Sequence, residues 1–176
     1  MFEFEKISHW LEQKVHQTVL EVNLTALINN LKVYQEQLKP ATKMMAMVKA
    51  FSYGSGTAEV ARVLQFHKVD YLAVAYADEG VELRKAGISL PIMVMNPDEL
   101  SFDAIIDYNL EPDIYGLHIL ESFSSFIAAQ GLQQFPVHIK IDTGMHRLGF
   151  EASDVGALCQ RLLSDKSLAV RSAFTH

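Results

Sequence analysis

The sequence predicts an α/β fold of short parallel strands and helices, a (β/α) TIM barrel that is truncated after about six strands. Three observations support this fold. Short apolar runs recur from about residue 43, amphipathic segments separate them, and several runs contain no polar residue. Uninterrupted apolar runs indicate strands that are covered on both faces, as in parallel sheets. A complete open, doubly wound sheet is the alternative that this pattern allows.

Six apolar runs are the predicted strands. They recur at intervals of roughly 20 to 30 residues, which is typical of βα units with parallel strands. Because the chain ends directly after the sixth run, we expect a barrel without its last strands. In chain order the runs are MMAMV (44–48), YLAVAY (71–76), IMVM (92–95), PDIY (112–115), VHIKI (137–141) and LAVRSAF (168–174).

The segments between the runs have the periodicity of amphipathic helices. In residues 57–67 the apolar side chains fall on one helical face, and Thr57 is suited to cap the helix. Gly87 is suited to end the helix predicted over residues 77–87. The other predicted helices cover residues 98–108, 117–130 and 153–163.

The first 42 residues depart from this alternation. Residues 1–16 have helical spacing and are interpreted as a connector or appendage, which leaves 17–176 as the partial barrel domain. The run TVLEV (18–22) alternates like a strand and leads into a predicted helix.

The composition is that of a globular protein. The 176 residues are 49% hydrophobic and carry a formal net charge of −6, with lysine and arginine scattered along the chain. This charge distribution argues against nucleic-acid binding. The apolar runs are too short to span a bilayer and the N-terminus does not resemble a signal peptide, so we expect a cytoplasmic protein without a membrane partner. The single cysteine, Cys159, is predicted to be a small core residue.

Polar residues suited to chemistry follow three of the predicted strands. In a parallel barrel the loops after the strands bind ligands, because their side chains converge on one open face. Each residue alone also has an ordinary explanation, such as a solvated lysine, an Asp142–Arg147 salt bridge or a turn at Gly144, and spacing leaves both interpretations open. The residues are Lys49 after the first run, Lys140, Asp142, His146 and Arg147 at or after the fifth, and His176 after the sixth.

A lysine at the mouth of a barrel is suited to Schiff-base chemistry. The lysine amine has an ordinary pKa of about 10.4, so it becomes a nucleophile when it is desolvated or lies near another cation. Arg147 would supply that second cation and a donor for a phenolate or carboxylate oxygen. We expect no metal site.

Three motifs together resemble the pyridoxal-phosphate-dependent alanine racemases. They are MMAMVKAFSYGSG (44–56), KIDTGMHRLGF (140–150) and FTH (174–176), and TVLEVNLTALINNL (18–31) resembles the opening segment of that family. The resemblance covers about residues 17–176, and the first two motifs carry most of its specificity.

The resemblance implies a role for five residues. Lys49 corresponds to the lysine that forms the Schiff base with pyridoxal phosphate and exchanges a proton at the substrate's α-carbon. Tyr53 corresponds to a tyrosine that hydrogen-bonds the cofactor phosphate. Arg147 corresponds to the arginine that contacts the phenolic oxygen and helps to place the substrate carboxylate. Lys140 corresponds to a lysine that is often carbamylated and orients that arginine, and His176 to a histidine near the pyridine ring.

The resemblance also implies the reaction, which is interconversion of L- and D-alanine for peptidoglycan synthesis by a homodimer. In that family the second base is a tyrosine of a C-terminal domain that reaches in from the other subunit, so this chain alone is expected to be inactive. Phe51 and Ser55 depart from the common pattern, which usually has a small polar residue and a histidine there. This variant and the segment before it are similar to chains in which a Mur-type ligase is fused before the racemase. The alternatives are a non-enzymatic pyridoxal-phosphate carrier and a structural fragment.

Overall fold

The computed structural model describes residues 18–176, in which six strands alternate with helices as predicted. The connector expected at residues 1–16 lies outside the described residues. The sheet bounds agree with the six apolar runs of the sequence. They are β1 Met45–Met47, β2 Tyr71–Val74, β3 Ile92–Val94, β4 Glu111–Ile114, β5 Phe135–Lys140 and β6 Leu168–Phe174.

The helices occupy the predicted positions between the strands. The segment predicted over residues 98–108 is divided into a 3-10 turn at Glu99–Ser101 and a helix. A further short helical segment, Lys49–Tyr53, directly follows β1. The remaining bounds are α1 Leu24–Gln37, α2 Thr57–Phe66, α3 Ala77–Lys85, α4 Phe102–Asp107, α5 Leu117–Ala129 and α6 Val155–Ser164.

The strand order decides between the two predicted architectures. The sheet runs β1-β2-β3-β4-β5-β6 in chain order, and every neighbouring pair is parallel. A doubly wound sheet reverses its order at a switch point, whereas a (β/α) barrel does not. On one face of the sheet the Tyr71 hydroxyl on β2 donates to Glu111 Oε2 on β4, 3.2 Å away and across β3. The fold is that of a barrel wall.

The apolar core lies between this wall and the helices. The central strands β2 and β3 are almost completely buried, with exposures of 0–2% at Leu72, Val74, Ile92 and Val94, among others. Helices α4 and α5 meet at Phe102 and Phe123, whose rings pack edge to face with centroids 4.9 Å apart. Burying each such side chain stabilises the fold by about 1.5–3 kcal/mol. Because both faces of β2 and β3 are buried, neither face favours polar side chains.

The strand predicted near the N-terminus is wrong. Residues 18–22 do not form a strand, and Leu20 is 74% exposed there because no described strand pairs with that segment. The helix begins at Leu24, with the side chain of Asn23 accepting from the Ala26 N–H at 3.0 Å. The strand was predicted from the alternation of apolar and polar residues alone, and no described strand lies beside this segment.

Two single-residue predictions also fail, whereas one holds. Gly56, at a φ of 92°, precedes α2, so Thr57 is the first helical residue and makes no capping hydrogen bond. Cys159 is exposed on α6, since the buried stripe of that helix passes through Leu158 instead. Gly87 has a φ of 87° just after α3, as expected of a residue that ends a helix. No described helix is long and apolar enough to cross a membrane.

Candidate active site

The predicted site residues all lie at the same edge of the sheet. Because the strands are parallel, their carboxyl ends meet there, with Lys49 directly after β1, Lys140 ending β5 and His176 two residues after β6. Lys49 is half-buried, whereas Tyr53 and Arg147 are exposed. Within residues 18–176, the side chains of Lys49, Tyr53, Arg147 and His176 form no hydrogen bond or ion pair with one another or with other residues. Their donors are therefore available to a ligand.

Lys49 leads into a left-handed turn. Ala50, Phe51, Ser52 and Tyr53 have φ values of 51°, 56°, 50° and 55°. Left-handed backbone costs an L-residue about 1–2 kcal/mol, so these four residues cost roughly 4–8 kcal/mol. Such strain persists only where surrounding contacts fix the backbone, and it clusters at functional sites.

Hydrogen bonds hold this turn at both ends. The Ser52 N–H donates to the Val48 carbonyl at 3.2 Å, and the Gly56 N–H donates to the Phe51 carbonyl at 3.1 Å. Gly54 and Gly56, at φ values of 91° and 92°, then lead the chain into α2. The lysine thus projects from an ordered backbone rather than from a flexible loop.

Glu79, near the start of α3, contacts this turn from the neighbouring βα unit. Its Oε1 accepts from the Ala50 N–H at 2.6 Å, and its Oε2 accepts from the Ala75 and Tyr76 N–H groups at 2.6 and 3.3 Å. Glu79 was not recognisable from the sequence as a site residue, because 29 residues separate it from Ala50. The visible signal was a glutamate in the first turn of a predicted helix, which by itself indicates only a favourable helix N-terminus.

Asp142 organises the loop that carries Arg147. Its carboxylate accepts from the N–H groups of Gly144 at 2.9 Å and His146 at 3.1 Å, and these hydrogen bonds lower the pKa of Asp142. The salt bridge considered between Asp142 and Arg147 is absent from the described residues, since the acid pairs with His146 Nδ1 at 3.3 Å. Gly144 has the predicted positive φ, at 128°.

The Arg147 loop is tied to the end of β5. The Phe150 N–H donates to the Lys140 carbonyl at 2.9 Å, and the Asp142 N–H donates to the Phe150 carbonyl at 2.9 Å. A side chain at Gly149 would place its Cβ 2.6 Å from the backbone nitrogen of Asp142, so glycine is required there. Arg147 therefore extends into solvent from a closed, braced loop.

Lys140 is buried beside an acidic residue that the sequence analysis did not identify. Lys140 is 4% exposed, and its Nζ lies 5.3 Å from the ring centroid of Phe174. Asp113, on β4, is fully buried, and its carboxylate oxygens have no hydrogen-bond partner among the described residues. Burial raises the pKa of Asp113 to about 8, and the Lys140 ammonium opposes that rise. The signal in the sequence was an aspartate inside the apolar run PDIY.

A second polar cluster lies toward the amino ends of the strands. His138 bridges Ser172 and Glu111, with Nδ1 2.7 Å from the Ser172 hydroxyl and Nε2 2.9 Å from Glu111 Oε2. Burial and the nearby Glu111 raise the pKa of Tyr71, which donates to the same carboxylate. These hydrogen bonds connect four strands, β2, β4, β5 and β6. They lie away from the carboxyl ends of the strands, where Lys49 is found. Their position favours a role in stability.

Comparison with known proteins identifies the family of this site. The family model described as the N-terminal domain of alanine racemase matches residues 22–176. The chain belongs to the alanine racemase family. An alanine racemase of Thermodesulfovibrio yellowstonii is 42% identical over 132 residues, which are 73% of this chain and 36% of that protein. One of Sorangium cellulosum is 37% identical over 165 residues, which cover 90% of this chain and 44% of that protein.

Solved structures of alanine racemases have the same fold. The alanine racemase of Clostridium difficile 630 matches 90% of this chain with a TM-score of 0.82 and 32% identity. The alanine racemase of E. faecalis matches 88% of this chain with a TM-score of 0.79 and 29% identity. This chain spans 43% and 42% of the two solved chains, so it corresponds to less than half of the relatives it matches. The predicted family and barrel type are confirmed.

The residues present fit one side of the family's cofactor. Alanine racemases are pyridoxal-phosphate enzymes, and their N-terminal domain carries the lysine that binds the cofactor. Here a half-buried primary amine, Lys49, stands at the carboxyl end of β1 on an ordered turn. The exposed donors of Tyr53 and Arg147, unpaired among the described residues, suit anionic oxygens. An aldehyde with a phosphate and a phenolate matches this donor set.

Proposed function

We propose that this chain supplies the lysine-bearing half of an alanine racemase that interconverts L- and D-alanine with pyridoxal phosphate. The observation that carries the proposal is Lys49, which a strained and hydrogen-bonded turn presents at the carboxyl end of β1. Loops at this end of a barrel form the active site in essentially every characterised enzyme of this architecture. Membership of the alanine racemase family supplies the reaction class.

Lys49 has two tasks in this proposal. Its Nζ would hold the aldehyde group of the cofactor, and the Lys49 amine would also move a proton at the α-carbon of the substrate. When bound, pyridoxal phosphate supplies the electron sink that stabilises charge at that carbon.

The other site residues bind and orient. Tyr53 donates its hydroxyl to the cofactor phosphate, and Arg147 donates to the phenolic oxygen and to the substrate carboxylate. His176 packs near the pyridine ring. Lys140 orients Arg147 from the end of β5, to which the Arg147 loop is tied by the Lys140–Phe150 backbone hydrogen bond. We propose that Lys140 does so as a carbamate.

The remaining half of the site comes from outside this chain. Racemisation needs proton removal on one face of the α-carbon and delivery on the other, and Lys49 reaches one face. The proposal assigns the second base to a tyrosine from the C-terminal domain of a partner subunit. The working enzyme is then a homodimer, and the 176-residue chain alone is inactive. A Mur-type ligase fused ahead of the racemase, a cytoplasmic location and D-alanine supply for peptidoglycan belong to the same proposal.

Racemase activity of the full-length enzyme tests this function. L-alanine turnover is followed by the loss of its circular dichroism, in wild type, Lys49→Ala and the control Lys43→Ala. Lys43 is exposed just before β1, at the opposite end of that strand from Lys49. We expect turnover in wild type and in the control, and none in Lys49→Ala. Turnover that survives Lys49→Ala contradicts the proposal, and cofactor binding without turnover in wild type would favour the non-enzymatic carrier.

A further inference from the structure

We propose that Glu79 is a positioning residue for Lys49, and that its carboxylate holds the lysine-bearing turn in a single conformation. The inference rests on the role proposed above for Lys49. Glu79 itself touches neither substrate nor cofactor in this assignment. It acts through the backbone of Ala50, the residue that directly follows the lysine.

The two carboxylate oxygens of Glu79 have separate partners. Oε2 accepts from the N–H groups of Ala75 and Tyr76, which are local contacts at the start of α3. Oε1 leaves its own unit and accepts from the Ala50 N–H at 2.6 Å, across 29 residues of sequence. The hydrogen bonds of Oε2 are sufficient to cap the start of α3. The hydrogen bond from Ala50 to Oε1 is additional to that capping role. The carboxylate therefore joins the carboxyl ends of β1 and β2.

The hydrogen bond between Ala50 and Glu79 lies where the backbone enters the left-handed conformation. Ala50 is the first of four consecutive residues with positive φ, and none of them is a glycine that would adopt this conformation without strain. An N–H that donates to an ionised carboxylate makes a short, strong hydrogen bond. Releasing the Ala50 N–H would let the turn relax, and the Cα of Lys49 would move with it.

The position of Glu79 suits a carboxylate acceptor. Glu79 lies in the first turn of α3 and accepts from three backbone N–H groups. No described side chain forms a salt bridge with it. Glutamine at this position would offer one carbonyl oxygen instead of two carboxylate oxygens. Its NH₂ group would face one of the N–H donors.

The test compares Glu79→Gln with Asp78→Asn in the full-length holoenzyme. Asp78 is an exposed acidic residue in the same helical turn, so its variant loses the same charge at the same helix end but leaves the Ala50 contact intact. The measurements are the dissociation constant for pyridoxal phosphate, kcat and KM for alanine, and the pH dependence of the absorbance of bound cofactor. A substitution that affects only overall stability would lower the melting temperature but leave the absorbance profile unchanged.

We expect Glu79→Gln to weaken cofactor binding and to lower kcat, each by about 10- to 100-fold, because one charge-assisted hydrogen bond is lost. KM for alanine should change less than kcat, and the absorbance profile should shift on the pH axis. Asp78→Asn should stay within about two-fold of wild type in every measurement. If both variants keep wild-type kcat, cofactor affinity and absorbance profile, the inference is wrong.

Two further results keep the inference testable. If Glu79→Gln does not fold, hydrogen exchange of the Ala50 amide in the wild-type holoenzyme decides, and exchange at an unprotected rate would overturn the inference. Failure of the proposed function is distinct, because it would appear in wild type as a cofactor that is not attached to Lys49. A wild type with the cofactor on Lys49, together with an unaffected Glu79→Gln, contradicts only the positioning role.

Discussion

Replacing Asp113 by asparagine should stabilise the protein at neutral and alkaline pH. Asp113 is fully buried on β4, and both of its carboxylate oxygens lack hydrogen-bond partners among the described residues. Burial raises its pKa from 3.8 to about 8, with the Lys140 ammonium opposing the rise. Asparagine has nearly the same shape and does not ionise, so the variant removes the charge and little else.

The sign of the effect follows from proton binding. Between about pH 4 and pH 8 the folded protein keeps a proton on Asp113 that the unfolded chain has released, so stability falls as pH rises through this range. The shift of about four pKa units corresponds to an upper limit of roughly 5–6 kcal/mol. Local relaxation and water entry reduce it, and we expect Asp113→Asn to gain about 2–4 kcal/mol at pH 8 and almost nothing at pH 4.

Unfolding by urea at pH 4, 6 and 8, without cofactor, measures this difference. Asp103→Asn is the matched control, because Asp103 is exposed on α4 and its substitution should change stability by less than about 0.5 kcal/mol. Lys140 is the charged group that acts on Asp113, whereas burial first and then the nearby Asp113 raise the pKa of the Tyr115 hydroxyl. If Asp113→Asn is less stable than wild type at pH 8, then Asp113 is ionised and paired with Lys140. That result would refute the reasoning.

Three further substitutions test the site and its support. Lys49→Arg should abolish cofactor attachment while leaving folding nearly unchanged, because a guanidinium keeps the charge but cannot form the imine, and absorbance after dialysis checks this. Tyr53→Phe should weaken cofactor binding by about 10- to 100-fold without eliminating it, since one hydrogen bond to a charged phosphate is lost, and equilibrium dialysis measures the change. Glu111→Gln should destabilise the fold by about 1–3 kcal/mol through its bonds to His138 and Tyr71, whereas the exposed Glu121→Gln should not, as thermal unfolding will show.

The strand and helix pattern was predictable because it depends on local periodicity. The runs at β2 and β3 are apolar throughout, and their burial on both faces is what parallel packing requires. Lys49 was identified because it follows such a run directly. The strand expected at residues 18–22 is absent, because a strand also needs a neighbouring strand to pair with. Alternation of apolar and polar residues does not show whether such a neighbour exists.

The backbone of the lysine turn was not predictable from its residues. Ala50, Phe51 and Tyr53 have no preference for left-handed backbone, unlike Gly54 and Gly56, which follow them. One of the turn's hydrogen bonds comes from outside the turn, from Glu79, which lies 29 residues away from Ala50. Asp113 was missed for a similar reason, because its importance lies in burial beside Lys140, on the next strand.

Reductive trapping of the cofactor tests the central claim most directly. The full-length protein is loaded with pyridoxal phosphate, reduced with borohydride, digested and mapped by mass spectrometry. Reduction converts the imine into a stable secondary amine, which marks the lysine that held the cofactor. The account predicts a pyridoxyl adduct on Lys49 and on no other lysine of residues 18–176. An adduct on Lys43 or Lys140 instead, or no adduct at all, would contradict it.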